Sequence, residues 1–277
     1  MALQDPCRSL FYIGGIMQLY INILDYRIPS YGLMIVIGVV LANLLALYVV
    51  RKFNQDINDF FLLEAYAFLG GFTGAKLLYI MVSPKQIEWN RITEFSYFNK
   101  IMQSGFVFYG GLILGLLFVI FAGKIHKLPT IAYMRNYIFL IPFIHGFGRL
   151  GCIFAGCCYG IPYDGIGAVV FPKVSLAPPG IPLFPVQIVE AICLMIISLT
   201  ILMLQLRIGW KYTIETYFIA YGIIRFLLEY LRYDDERGSI YMFSTSQWIS
   251  LLLIVVAFVM LLYQTRIVKK KLIVKCD

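Results

Sequence analysis

Long apolar segments dominate the chain, and they restrict the folds open to it more than any other feature. An α-helix needs roughly 20 apolar residues to cross a bilayer. Seven stretches approach that length: Tyr31–Val50, Phe60–Val82, Gly105–Ala122, Tyr133–Ala155, Pro185–Leu206, Lys211–Leu231 and Ser246–Gln264. Charged residues make up only 14% of the sequence. The sequence therefore predicts an all-α membrane protein with seven transmembrane helices, in a single polytopic domain of residues 1–277.

The distribution of lysine and arginine predicts the orientation, because short cytoplasmic loops retain positive charge. One side carries Arg8, Arg27, Lys85, Arg91, Lys100, Lys173 and Arg237. The other side carries a larger set, Arg51, Lys52, Lys124, Lys127, Arg135, Arg207, Lys211, Arg266, Lys269, Lys270, Lys271 and Lys275. We therefore expect the N-terminus outside and the C-terminus in the cytoplasm. The two longest polar segments, residues 83–104 and 161–184, then form a small extracytoplasmic head.

The net charge of +8 fits this topology and does not indicate a nucleic-acid partner. The basic tail at residues 266–271 suits anionic lipid headgroups, so membrane lipid is the expected partner. The apolar run at residues 10–17 contains two glycines and lacks a small-residue cleavage site. We interpret it as an interfacial arm and not as a signal peptide.

Ionisable residues inside the predicted spans are the first candidates for a functional site, because an arginine near mid-membrane costs about 2.5 to 3.5 kcal/mol on insertion scales. In the fourth span, His145, Arg149 and Cys152 recur on one helical face. We expect Arg149 to face a polar cavity or an anionic ligand. The alternatives are a snorkelling Arg149 and a hydrogen-bonded core histidine at position 145.

The sixth span carries a second polar stripe, with Tyr221, Arg225, Glu229 and Arg232 on one face. Arg225 and Glu229 are spaced for a direct ion pair. Such a pair can be purely architectural. Alternatively, Arg225 and Arg149 from different helices suit a bidentate phosphate clamp.

Further candidates come from glycine-rich parts of the first three spans. Glycines at 70, 71 and 74 and at 110 and 111 are typical of close helix packing. Lys76 and Tyr109 lie among them and can point into a shared cavity. Tyr31 offers another hydroxyl, although tyrosines are also common at membrane interfaces.

The cysteines at 152, 157 and 158 are close to His145 in the sequence and invite a zinc interpretation. Their C-x4-C-C spacing departs from the C-x2-C pairs of structural zinc sites, so we expect no metal and no cofactor. A disulfide from Cys152 to Cys157 or Cys158 is an alternative, because the loop is predicted to face outward. Packed free thiols are the default expectation.

Six motifs resemble the bacterial prolipoprotein diacylglyceryl transferase family in order and spacing, and they cover all seven spans. They are Tyr31–Met34, Gly74–Tyr79, Phe108–Ile113, Gly148–Gly151, Pro185–Glu190 and Tyr221–Arg232. The resemblance implies a multi-pass enzyme of the bacterial cytoplasmic (inner) membrane. Such an enzyme moves the diacylglyceryl group of phosphatidylglycerol to the lipobox cysteine of a preprolipoprotein signal peptide, forming a thioether and releasing glycerol phosphate.

The resemblance also implies roles for single residues. Arg149 matches the arginine that binds phosphatidylglycerol, and Arg225 matches a second essential arginine. The remaining matched positions are assigned to the catalytic or substrate-binding cavity: Tyr31, Lys76, Tyr109, Gln187, Glu190, Tyr221 and Glu229.

The chain departs from the family pattern where the acceptor thiol is expected. Cys152, Ala155 and Cys157 replace two asparagines and a glutamate, and Tyr109 replaces a histidine. We therefore expect His145 or Tyr109 to handle the thiol proton, with histidine better suited near neutral pH. One alternative is a paralogue with the same lipid donor and another acceptor. The other is a non-enzymatic transporter or receptor for an anion or lipid.

Overall fold

The computed structural model describes residues 11–12, 19–23, 26–103, 106–173, 175–233 and 239–276, most of them in α-helices. Most of the predicted interfacial arm and the residues Cys7, Gly105 and Arg237 lie outside this range. The chain forms two compact units. One is Leu47–Met134, and the other joins Met1–Ala46 to Arg135–Asp277.

Helices occupy every apolar segment that the sequence analysis identified. They are α1 (Ser30–Lys52), α2 (Ile57–Val82), α3 (Phe95–Gln103), α4 (Phe108–Ile125), α5 (Thr130–Tyr137), α6 (Leu140–Ala155), α7 (Val186–Ile208), α8 (Thr213–Glu229) and α9 (Thr245–Cys276). Short strands separate them: β1 (Phe11–Tyr12), β2 (Tyr20–Ile23), β3 (Tyr26–Pro29), β4 (Val169–Val170), β5 (Pro182–Leu183), β6 (Ser239–Ile240) and β7 (Phe243–Ser244).

Among the described residues, four helices are long and apolar enough to cross a membrane: α1, α2, α7 and the Thr245–Arg266 part of α9. The pair α5 and α6 adds a fifth candidate if it is counted as one span with a 46° bend. The apolar part of α4 is shorter, and α8 has 17 residues that include three charged side chains. The chain is thus a mostly helical protein of membrane type, and the count of seven spans stays a prediction.

In the unit Leu47–Met134, α2 and α4 pack through facing glycines. A Cβ atom at Gly70 would lie 2.6 Å from the Leu114 carbonyl oxygen, and one at Gly74 would collide with the Gly110 carbonyl. Only residues without a side chain let the two backbones approach this closely. The glycine motif of the second span is therefore a helix-packing feature.

We expect Gly74→Ala to destabilise this unit by about 1 to 3 kcal/mol, the usual cost of overpacking. The reason is that the added methyl group would overlap backbone atoms of α4, which cannot turn aside as a side chain could. The measurement is the melting temperature of the purified protein. Gly71→Ala is the matched control, because its Cβ would meet no atom closer than 3.9 Å. Equal melting temperatures for the two variants would contradict this packing.

In the other unit, α6 packs on α7 and α8 packs on α9. Small residues again permit contact: a Cβ at Gly146 would lie 2.7 Å from Cε of Met195, and one at Gly222 would lie 3.0 Å from the Ser250 carbonyl oxygen. Ser198 on α7 donates a 2.8 Å hydrogen bond to the carbonyl of Phe139. The Phe139 carbonyl also accepts from the Phe143 amide at 3.3 Å, so the Ser198 hydroxyl ties α7 to the first turn of α6.

The segment between α6 and α7 has a small core of its own. β4 pairs parallel to β1 and antiparallel to β5. The buried residues of this core are Ile153, Val169, Phe171, Ala177 and Leu183. The segment also joins the end of α8, because the Ile161 amide donates to the Leu231 carbonyl at 3.0 Å. The predicted polar loop 161–184 is therefore a packed element that fixes the residues at the ends of α6 and α8.

Candidate active site

One buried carboxylate joins two arginines from different segments of the chain. Glu190, in α7, is 3.0 Å from Nη2 of Arg149 in α6 and 3.9 Å from Nη1 of Arg232 just after α8. The Arg149 and Glu190 side chains are 13% and 1% exposed. The predicted residues Arg149 and Glu190 thus lie together, and Arg232 joins them.

This group carries a net positive charge, because two guanidinium groups share one carboxylate. The short contact between Arg149 and Glu190 lacks hydrogen-bond alignment, so the pair is held by charge attraction. The Nε–H of Arg149 has no hydrogen-bond partner within the described part of the chain. A buried guanidinium with an uncommitted donor is suited to bind an anion such as a phosphate.

A second arginine pair lies in α8. Arg225 Nη2 contacts Glu229 at 2.7 Å and donates to Ser246 Oγ at 3.0 Å. Ser244 Oγ donates to the other Glu229 oxygen at 2.8 Å. Nη1 of Arg225 has no hydrogen-bond partner among the residues described. The predicted pair of Arg225 and Glu229 is present, and sequence reasoning missed the two serines that hold it.

Aromatic rings line the same stripe of α8. The His145 ring meets Tyr221 edge to face with centroids 5.5 Å apart, and Tyr221 stacks on Tyr217 at 5.7 Å. His145 and Tyr221, one turn before Arg149 and Arg225 respectively, therefore contact each other across the two helices. The proton-handling role of His145 stays a prediction.

Tyr31 packs against the backbone of α6 at Gly151. A Cβ atom at Gly151 would lie 3.0 Å from Cδ2 and 3.2 Å from Cα of Tyr31. The second glycine of Gly148–Gly151 thus makes room for the start of α1 two residues from Arg149. Tyr31 is an exposed residue, and its role in ligand binding stays a prediction.

Gln187 has a structural hydrogen bond that the sequence did not predict. Its Nε2 donates to the carbonyl oxygen of Cys157 at 2.9 Å, and its side chain is buried. It therefore fixes the turn after α6.

Hydrogen bonds from Cys152 and Cys157, with the charges of Arg232 and Arg149, hold the pKa of the Cys158 thiol below its usual value.

Lys76 and Tyr109 belong to the unit Leu47–Met134. Lys76 Nζ donates to the Ile101 carbonyl at 2.6 Å and lies 4.0 Å from the centroid of the Phe106 ring. Tyr109 is partly buried near the start of α4. Their assignment to the site with Arg149 remains a prediction.

The chain matches a known protein family over most of its length. The sequence model of the family described as prolipoprotein diacylglyceryl transferase matches residues 18–263. The chain belongs to this family. The matched range contains α1 to α8 and every candidate residue of the arginine groups. The family membership predicted from the six motifs is confirmed.

Curated relatives of this diacylglyceryl transferase family cover most of the chain. Phosphatidylglycerol–prolipoprotein diacylglyceryl transferase 2 of Clostridium perfringens is 34% identical over 238 residues, which are 84% of this chain and 90% of the relative. The phosphatidylglycerol–prolipoprotein diacylglyceryl transferase of Clostridium tetani is 33% identical over 83% of this chain and 90% of its own length. The Pasteurella multocida enzyme of that name is 29% identical, with shares of 87% and 89%.

Proposed function

We propose that the protein transfers the diacylglyceryl group of phosphatidylglycerol to the lipobox cysteine thiol of preprolipoproteins. The family and the names of its relatives support this donor and acceptor. The observation that carries the proposal is the presence of two buried arginine groups, Arg149–Glu190–Arg232 and Arg225–Glu229, in one unit of the fold. Each group leaves a guanidinium donor available for the phosphate.

The topology of the proposal follows the sequence analysis. The chain crosses the bacterial cytoplasmic membrane seven times as a single membrane domain, with its N-terminus outside and its C-terminus in the cytoplasm. The seven apolar helical segments and the excess of lysine and arginine on one side support this orientation. The signal peptides of preprolipoproteins then reach the site from the outer face.

The reaction is a displacement at a glycerol carbon. The acceptor sulfur forms a bond to that carbon, the carbon–oxygen bond to the phosphate breaks, and glycerol phosphate leaves. Negative charge grows on the phosphate oxygens as the bond breaks, so fixed guanidinium donors lower the barrier. Glu190 and Glu229 hold Arg149 and Arg225 in place before the substrate arrives.

His145 is the proposed group for the thiol proton, with Tyr109 as the other candidate. If His145 acts as the base, His145→Ala should slow transfer by about 100-fold or more, the usual contribution of a general base. The measurement is the transfer rate in membranes from about pH 6 to 8, around the pKa of an unperturbed histidine. His126→Ala is the matched control, because His126 contacts Tyr66 in the other unit. A full rate for His145→Ala across this range would exclude the assignment.

Release of glycerol phosphate tests the reaction. Purified protein is supplied with phosphatidylglycerol labelled in its headgroup and with a lipobox peptide that contains either cysteine or serine. We expect labelled glycerol phosphate only with the cysteine peptide. Release with both peptides would indicate lipid hydrolysis, and release with neither would contradict the proposal.

A second candidate function is transfer from the same donor to another acceptor. The cysteines at positions 152 and 157, where the family pattern has polar residues that the acceptor thiol is expected to meet, favour this alternative. It predicts binding of phosphatidylglycerol by the wild-type protein without release in the presence of the lipobox peptide. The same assay, combined with a lipid-binding measurement, separates the two functions.

A further inference from the structure

Three cysteines meet where α6 ends. Gly156 caps the helix in the left-handed conformation, with φ of 65°, and its amide donates to the Ile153 carbonyl at 3.1 Å. The Cys157 amide donates back to the Cys152 carbonyl at 3.1 Å. Cys158 also has a positive φ, of 58°. The chain therefore reverses, and Cys157 and Cys158 return to the last turn of α6 beside Cys152.

The three sulfur atoms lie within 4.8 Å of one another, and none of the three cysteines forms a disulfide. Thiolates that share one Zn²⁺ at about 2.3 Å in tetrahedral geometry lie about 3.8 Å apart. The observed cluster needs only small side-chain shifts to reach that spacing. The C-x4-C-C spacing did not predict a metal site, but the fold brings the three sulfur atoms close enough to bind one ion.

Two further features suit a zinc ion that binds a substrate. Cys152 is buried, whereas Cys157 and Cys158 are half-buried, so one side of the cluster is open. Three protein ligands with a fourth position free are typical of catalytic zinc sites, whereas structural sites use four. Three thiolates and Zn²⁺ carry a net charge of −1, and the charges of Arg149 and Arg232 act on Cys158 and can balance it.

We propose that Cys152, Cys157 and Cys158 bind Zn²⁺ and that the fourth position of the ion binds the acceptor cysteine of the prolipoprotein. This inference rests on the proposed function. The bound Zn²⁺ would activate the acceptor thiol, because a thiol bound to a metal ion is deprotonated and a thiolate is the better nucleophile. It also gives a role to the cysteines that stand where the family pattern has other residues.

The step is balanced without an oxidant or reductant. The acceptor thiol gives up its proton when it binds Zn²⁺, and the base proposed above, His145 or Tyr109, takes it. Its sulfur then attacks the glycerol carbon with an electron pair, the carbon–sulfur bond forms, and the carbon–oxygen bond electrons leave on glycerol phosphate. The thioether product has no negative charge on sulfur and is a weaker ligand, so it leaves the ion. Zn²⁺ keeps its charge throughout.

The position of Arg149 agrees with this chemistry. It precedes Cys152 by three residues on the same helix, which is about 4.5 Å along the axis. The phosphate that Arg149 would bind and the sulfur on the zinc ion would therefore both lie at the C-terminal end of α6. Gln187 holds the Cys157 carbonyl and keeps the turn in place.

Metal binding is tested first, on the full-length protein and without the reaction. The protein is stripped with a chelator and reloaded with Zn²⁺, and the metal content per chain is measured together with protection of each cysteine from alkylation. We expect one tightly bound Zn²⁺ that protects Cys152, Cys157 and Cys158 in the wild-type protein. Cys158→Ser should weaken binding by about 100-fold or more, given that loss of even a supporting residue costs 10- to 100-fold.

Cys193→Ser is the matched control, because Cys193 is a free cysteine of α7 outside the cluster. It should bind Zn²⁺ as the wild-type protein does. The alkylation measurement uses the wild-type chain, so it decides the question even if Cys158→Ser fails to fold. Unprotected cysteines in the presence of Zn²⁺, or a disulfide within the cluster, would overturn the proposal.

Transfer to the lipobox peptide is then measured with the stripped and the reloaded protein. We expect transfer to be lost on stripping and restored by Zn²⁺. Full transfer by the stripped protein would reject the zinc step and leave the proposed function intact. Bound Zn²⁺ with no transfer in either state would instead contradict the proposed function together with the acceptor role of the ion.

Discussion

Arg149→Ala is expected to lower kcat/KM for diacylglyceryl transfer by about 1,000-fold, the upper range for loss of one preorganised donor at a developing negative charge. The substitution removes the guanidinium whose Nε–H is uncommitted and whose Nη2 contacts Glu190. Arg149→Lys should restore only part of the rate, because an ammonium group lacks the planar pair of donors that matches a phosphate. The measurement is the initial rate at several concentrations of phosphatidylglycerol.

Arg207→Ala is the matched control for Arg149→Ala. Arg207 is an exposed arginine in the last turn of α7, so the control removes the same charge from the same unit. It should leave the rate unchanged. An equal loss in both variants would mean that total positive charge, and not the position of Arg149, sets the rate.

Glu190→Ala has the largest expected effect on stability. Glu190 is the carboxylate between Arg149 and Arg232, and its removal leaves both buried guanidinium groups without it. Removing one partner of a buried ion pair typically costs about 3 to 5 kcal/mol. We therefore expect a clearly lower melting temperature, measured in the same detergent as for the wild-type protein.

The control for Glu190→Ala is Glu88→Ala, which removes a carboxylate from an exposed ion pair with Arg91. Exposed pairs contribute little to stability, so its melting temperature should not change. Equal melting temperatures for Glu190→Ala and Glu88→Ala would contradict a buried Glu190 group.

If added phosphate raises the melting temperature of the wild-type protein, the Glu190→Ala protein should show the larger increase, because its arginines lack their carboxylate.

The helices were largely predictable because their signal is local. For example, the predicted span Tyr31–Val50 corresponds to α1 at Ser30–Lys52, and the predicted span Pro185–Leu206 corresponds to α7 at Val186–Ile208. Apolar length alone determines such segments. The break between α5 and α6 was missed although its signal is present. In a continuous helix the ring of Pro142 would clash with the carbonyl of residue 138, and α5 ends just before that residue, at Tyr137.

The site was predictable in its members but not in all of its contacts. The pair Arg225–Glu229 follows from helical spacing alone, and the structure has it. The contact of Arg149 with Glu190 joins two helices, so no periodicity within one segment indicates it. Ser244 and Ser246 were missed for the same reason, because they reach α8 from the start of the next helix.

The cysteine cluster was not predicted, because the C-x2-C spacing of structural zinc sites does not describe cysteines that a turn at a helix end brings together. Zinc patterns with two residues between cysteines describe ligands on one turn. Here Gly156 reverses the chain and returns Cys157 to Cys152. A glycine just after a predicted helix is the sequence signal for such a reversal, and combining it with the cysteine positions would have indicated the cluster.

The most direct test of the central claim is the mass of a lipobox peptide after incubation with the purified protein and phosphatidylglycerol of defined acyl chains. We predict that the peptide gains one diacylglyceryl group on its cysteine sulfur, and that this product is absent with Arg149→Ala. An unmodified peptide after incubation with wild-type protein that binds phosphatidylglycerol would contradict the account.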